Sequence, residues 1–137
     1  MKTINNPSWF NQNVGLLLVR LSVATIFLFA GISKLIMIAT VVGFFSTIGI
    51  PAWLTWVVAI VETLGGAAML LGIYTRFFGI ALAIIMATAY FMVHMAQGFA
   101  ASQTVIVLFL VNLAIVAMGP GKYALKKKAA LASASSI

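Results

Sequence analysis

The chain has 137 residues, 64% of them hydrophobic and 7% charged, with a formal net charge of +7 and a mean hydropathy of +1.21. A water-soluble domain of this size could not cover so much apolar surface, so the solvent to reason with is lipid. The basic excess then reads as membrane-end charge, with no nucleic acid as partner. There is no cysteine, which excludes disulfides, thiol redox chemistry and thiolate metal sites in this chain.

Residues 1–13 (MKTINNPSWFNQN) form a polar N-terminal arm. Lys2 ahead of an apolar run is one mark of a signal peptide. However, the polar stretch from Thr3 to Asn13 separates the two and no A-x-A site comes after the run, so the first apolar segment is expected to remain as a helix. Trp9 and Phe10 read as interfacial anchors and Asn13 as a helix cap.

The first span is placed at about 14–35. Arg20 and Lys34 interrupt it roughly four turns apart, which puts them on nearly one face together with Phe27 and Gly31. Residues 36–50 are apolar but too short to cross, and they read as an interfacial or re-entrant connection closed by Pro51. The second span, 52–71 (AWLTWVVAIVETLGGAAMLL), carries Glu62, the chain's one acidic residue, about 15 Å from the start of the helix and so near mid-membrane. An unpaired carboxylate there costs about 2.5–3.5 kcal/mol or more. Gly65 and Gly66, on or near the Glu62 face as Gly31 is on the Arg20 face, allow close helix approach.

After a tight turn at 72–76 comes a third span at about 77–95. Arg76 and His94 fall on one face at its opposite ends, with Ala83, Ala87 and Tyr90 between them. The fourth span, at about 102–118, contains Asn112 and is stopped by Gly119-Pro120-Gly121. The bundle is assigned to 14–121, and 122–137 is a basic tail whose last residues are expected to be disordered.

The fold class expected is therefore all-α: a membrane-embedded four-helix bundle. Four spans put both termini on one side, and Lys2, Arg76, Lys122 and Lys126 to Lys128 make that side the cytoplasm. In this topology Arg20 and Glu62 differ by roughly 6 Å in depth, and they are expected to form an ion pair. That pair reads either as a structural clasp or as a functional site, since intramembrane ionisable residues are functional candidates by default. Lys34 reads as snorkelling to the outer headgroups, or as a ligand contact. His94 reads as a satisfied polar residue, or as a quinone contact or proton shuttle, with Tyr90 one turn away as a hydrogen-bond partner. Asn112 is expected to act as interhelical glue. The intramembrane polar site is thus Arg20, Glu62, Lys34 and His94, with Tyr90 and Asn112 in support and no metal site.

The segments RLSVATIFLFAGISKL, FFSTIGIP and ETLGGAAMLLGIYTR, with a third helix ending in His94 after them, resemble the DoxX family of small four-helix membrane proteins over residues 14–118. The resemblance rests on an ordered set: Arg20, Gly31 and Lys34; Gly49-Ile50-Pro51; Glu62, Gly65 and Gly66; then Gly72 and Thr75-Arg76. It implies an association with redox processes, since members include a membrane subunit of a thiosulfate:quinone oxidoreductase. It does not carry sulfur-transfer chemistry over to a chain without cysteine.

The leading expectation is an accessory or anchor subunit of a quinone-linked oxidoreductase assembly in a prokaryotic cytoplasmic (inner) membrane. The redox centre would lie on another chain, no cofactor is bound by motif, and quinone is the candidate ligand. Its partners would be lipid and other membrane subunits, with self-association open. The alternatives are a structural scaffold subunit, or a small transporter that uses the Arg20–Glu62 pair as a gate.

Overall fold

The computed structural model describes residues 11–124. Among them the chain folds into α1 (Gln12–Ile36), α2 (Ile38–Thr47), α3 (Ala52–Leu71), α4 (Thr75–Ala89) and α5 (Phe99–Met118). A π-helical turn at Tyr90–His94 and a short 3₁₀ turn at Met95–Gln97 extend α4. Trp9 and Phe10, Lys2, Lys126 to Lys128 and the end of the tail lie outside the described residues.

Each boundary has a local cause. Asn11, not Asn13, caps α1: its side-chain oxygen accepts from the amides of Asn13 and Val14 at 2.9 and 3.2 Å. The Asn13 side chain instead accepts from the Lys122 amide at 3.1 Å, tying the start of α1 to the segment after α5. Pro51 precedes α3 with extended backbone, where its missing N–H is no loss. Gly72 ends α3 in the left-handed region at φ 77°, and its amide and that of Ile73 both return to the Ala68 carbonyl.

Four helical stretches are long and apolar enough to cross a membrane: 12–36, 52–71, 75–97 and 99–118. The chain is an all-α, membrane-embedded four-helix bundle. α2 is too short to span, has no buried residue and rests against α3. α1 begins and α5 ends at one end of the bundle, here called the terminal end. The α3–α4 turn lies at the same end, while α2, the start of α3 and the π turn lie at the distal end.

The bundle is two antiparallel pairs, α1 with α3 and α4 with α5, joined mainly across α3 and α4. Val23, Ala24, Phe27, Met69, Leu82, Leu108 and Ile115 fill the centre, while Leu18, Phe29, Leu64, Ile84 and Leu110 face outward. Outward leucine and phenylalanine are no liability in lipid. Helix association there depends on close packing, which small residues permit. A Cβ on Gly66 would stand 2.7 Å from the Leu28 amide nitrogen, and one on Gly31 would stand 2.6 Å from that of Thr63. Both glycines are therefore used up in bringing α1 against α3. Gly65 meets only the tip of Leu82 on α4.

Candidate functional site

The antiparallel register of α1 and α3 decides which charges meet. Gly31 lies opposite Thr63, and Leu28 opposite Gly66. One turn further toward the distal end, Lys34 stands about 3 Å beyond the level of Glu62, and the two form a salt bridge with Nζ–Oε2 2.7 Å. The Glu62 side chain is 3% exposed and that of Lys34 24% exposed, so the carboxylate is buried in the bundle while part of the Lys34 side chain reaches its surface.

This corrects the expected Arg20–Glu62 pair. Along the same register Arg20 falls just past the end of α3, about 18 Å along the axis from Glu62. Estimating depth separately for each helix missed this because α1, at 25 residues, overhangs the 20-residue α3. Lys34 likewise turns inward to the carboxylate rather than outward to the headgroups, because Glu62 offers it the one side-chain counter-charge in the chain.

Arg20 is 1% exposed and makes four hydrogen bonds to backbone carbonyls. Nε donates to Met69 O at 3.1 Å and Nη2 to Leu70 O at 3.3 Å. These are carbonyls of the last turn of α3, which have no partner within the helix and carry the negative end of its dipole. Nη1 donates to Pro120 O and Tyr123 O, both at 3.1 Å. Arg20 thus clasps α1, the end of α3 and the segment after α5 at the terminal end. A Cβ on Gly72 would lie 2.5 Å from Arg20 Nη2, so this glycine also makes room for the clasp.

His94 stands apart from both groups. Its π turn packs on α4 and α5 and shares no extended interface with α1 or α3. Nδ1 lies 3.0 Å from Ala89 O. A carbonyl only accepts, so the neutral ring that makes this bond is the Nδ1–H tautomer, with Nε2 left as an acceptor. Tyr90 is not its partner; the Tyr90 ring packs edge-on against Phe91 at 5.2 Å. Nor do Arg76 and His94 end a common packing face. α4 buries Thr75, Gly79, Leu82, Ala83 and Met86, with Arg76 exposed, and the π turn changes the facing of the residues beyond it. Asn112 is fully buried, but its amide donates to Leu108 O of its own helix at 2.7 Å, and its Oδ1 has no partner. It therefore does not bridge helices.

Sequence reasoning missed Thr63, whose backbone meets Gly31, and the carbonyls of Met69, Leu70, Pro120 and Tyr123 that hold Arg20. Backbone acceptors carry no residue signature. The Gly72 chain reversal beside a spanning arginine was the available hint. Among the described residues no group of three His, Cys, Asp or Glu is placed to hold a metal ion.

The DoxX family profile matches residues 15–95, which contain Arg20, Lys34, Glu62 and His94. A 71-residue stretch is 34% identical to a Bacillus subtilis (strain 168) protein named "Putative oxidoreductase CatD", covering 52% of this chain and 53% of that protein. The match thus spans about half the length of that relative. No solved structure matches the chain. With four apolar helices of spanning length and the family match over more than half its residues, the chain belongs to the DoxX family of membrane proteins.

Proposed function

We propose that this protein is a membrane subunit of a quinone-linked oxidoreductase assembly, with Lys34 and Glu62 as its working polar site and the redox centre on another chain. The observation that carries the reading is the Lys34–Glu62 pair itself, a buried carboxylate bound at 2.7 Å to the ammonium of a partly exposed lysine. The other buried polar groups that have partners, Arg20, Thr55, Ser102 and the Asn112 amide, spend them on backbone carbonyls. Lys34 and Glu62 alone hold each other through groups that can exchange a proton.

In this reading Lys34 Nζ keeps donor capacity beyond its bond to Glu62 and holds a quinone carbonyl oxygen at the distal end of the bundle. Electrons arrive from the partner subunit. Glu62 passes one of the two protons that a quinone takes up with two electrons, and Lys34 keeps the carboxylate charged between turnovers. His94 lies outside this site. The oxidoreductase name of the B. subtilis relative is in keeping with the assignment. The chain's residue types are in keeping with a redox centre elsewhere: with no Cys, it offers no iron–sulfur ligand set of its own. By the positive-inside rule, Arg76 and Lys122 at the terminal end support a cytoplasmic side for that end of the bundle, with a prokaryotic inner membrane as the proposed location.

A purely scaffolding role would need small-residue faces left open for partner helices. Gly31, Gly65 and Gly66, the small residues beside the charged positions, are instead occupied inside the bundle, and only Gly15 on α1 and Gly43 on α2 stand open among the helical glycines described. Native mass spectrometry of the protein extracted gently from its own membrane tests it. A co-purifying redox subunit with quinone is the expected result, and non-redox partners with lipid alone would refute it.

A further inference from the structure

The cations of the folded bundle are not equally provided for. Lys34 has Glu62, and Arg20 has four carbonyls. Arg76, in the first turn of α4, is exposed and has no hydrogen bond or ion pair among the described residues. The sequence holds no second acidic side chain to give it one. Its guanidinium lies over the start of the segment after α5, where a Cβ on Gly119 would be 3.1 Å from Nη2.

Beside it a cleft of about 620 Å³ opens between the start of α1 and the end of α5. Its walls are amphipathic: Gln12 and Arg76 supply donors, and Leu16 and Met118 supply apolar surface. The helix ends around it place it at the level of the lipid headgroups. Lys122, whose amide is fixed to Asn13, lies next to the cleft without lining it.

We infer that this cleft holds the headgroup of an anionic phospholipid, with the phosphate on Arg76 and Gln12 and the glycerol and first methylenes on Leu16 and Met118. Arg76 then receives its counter-charge from the leaflet, and a planar guanidinium suits a phosphate better than a point charge does. The lipid would pin the start of α1 to the end of α5 from outside, as Arg20 does from within. This inference is independent of the redox reading.

The test is native mass spectrometry of the full chain after exchange into equal amounts of phosphatidylglycerol and phosphatidylcholine with identical acyl chains. The wild type is expected to retain phosphatidylglycerol preferentially, Arg76→Gln to lower that preference about fivefold, and Lys122→Gln to leave it nearly unchanged. Equal retention of both lipids by the wild type would overturn the proposal without any variant. So would an undiminished preference in a folded Arg76→Gln protein. Equal losses in the two variants would mean a diffuse basic surface rather than a built cleft, which also overturns it.

Discussion

Replacing Lys34 and Glu62 one at a time and together should have unequal effects, because the two side chains are unequally buried. Lys34→Met strands a carboxylate whose side chain is 3% exposed. Loss of a buried partner costs about 3–5 kcal/mol, and an unpaired charge near mid-membrane is penalised on a similar scale. Glu62→Gln is milder. The Lys34 side chain is already 24% exposed and can swing its ammonium to the distal headgroups, and the Gln carbonyl can still accept. A cost of about 1–2 kcal/mol is expected, near that of one charge-assisted hydrogen bond. The double variant leaves no buried charge and should lie close to Glu62→Gln alone, about 2–3 kcal/mol more stable than Lys34→Met, which is a coupling of about 3–5 kcal/mol. Unfolding in mixed micelles by titration with dodecyl sulfate, monitored by tryptophan fluorescence, measures all three variants. The reasoning fails if Glu62→Gln is the more damaging single change, or if the double variant loses the sum of the two.

Other substitutions address the remaining contacts. Arg20→Met leaves the carbonyls of Met69, Leu70, Pro120 and Tyr123 without their donor; a loss of about 3–5 kcal/mol is expected in the same titration, and Arg20→Lys should not restore it because an ammonium cannot fork across four acceptors. Gly66→Val should disrupt folding outright, since it drives α3 into the backbone of α1. Gly65→Ala should cost under about 1.5 kcal/mol because only the Leu82 tip must move; equal effects would contradict the packing. Asn112→Leu removes a buried amide with an unpartnered oxygen that bonds only within its own helix, so stability should stay within about 1 kcal/mol of wild type or rise; a large loss would show that Asn112 joins helices after all.

The fold class was legible because a run such as 52–71 is long, apolar and bounded by Pro51 and Gly72, and few other structures satisfy a backbone in lipid. The stripe of Arg20, Phe27 and Gly31 on α1 was legible by helical period, and all three are buried. The partners were not legible. Whether Glu62 meets Arg20 or Lys34 depends on how far α1 slides past α3. That register is set by Gly31 against Thr63 and Gly66 against Leu28, contacts between residues far apart in sequence. A spanning arginine read as close in depth to the chain's one acid suggested an ion pair, when a helix C-terminus could satisfy it. The π turn at Tyr90–His94 has no sequence mark in this chain, and it carried His94 away from the position that a straight helix would give it.

The most direct test of the redox assignment is quinone-dependent turnover by the assembly purified with Glu62→Gln in place of the wild-type chain, at matched subunit content. Gln keeps the shape and the hydrogen bond but cannot carry a proton. The account predicts an intact assembly whose quinone turnover falls by about tenfold or more, as loss of a proton-transfer group implies. An intact assembly with unchanged turnover would contradict it and leave the Lys34–Glu62 pair as a fastener between α1 and α3.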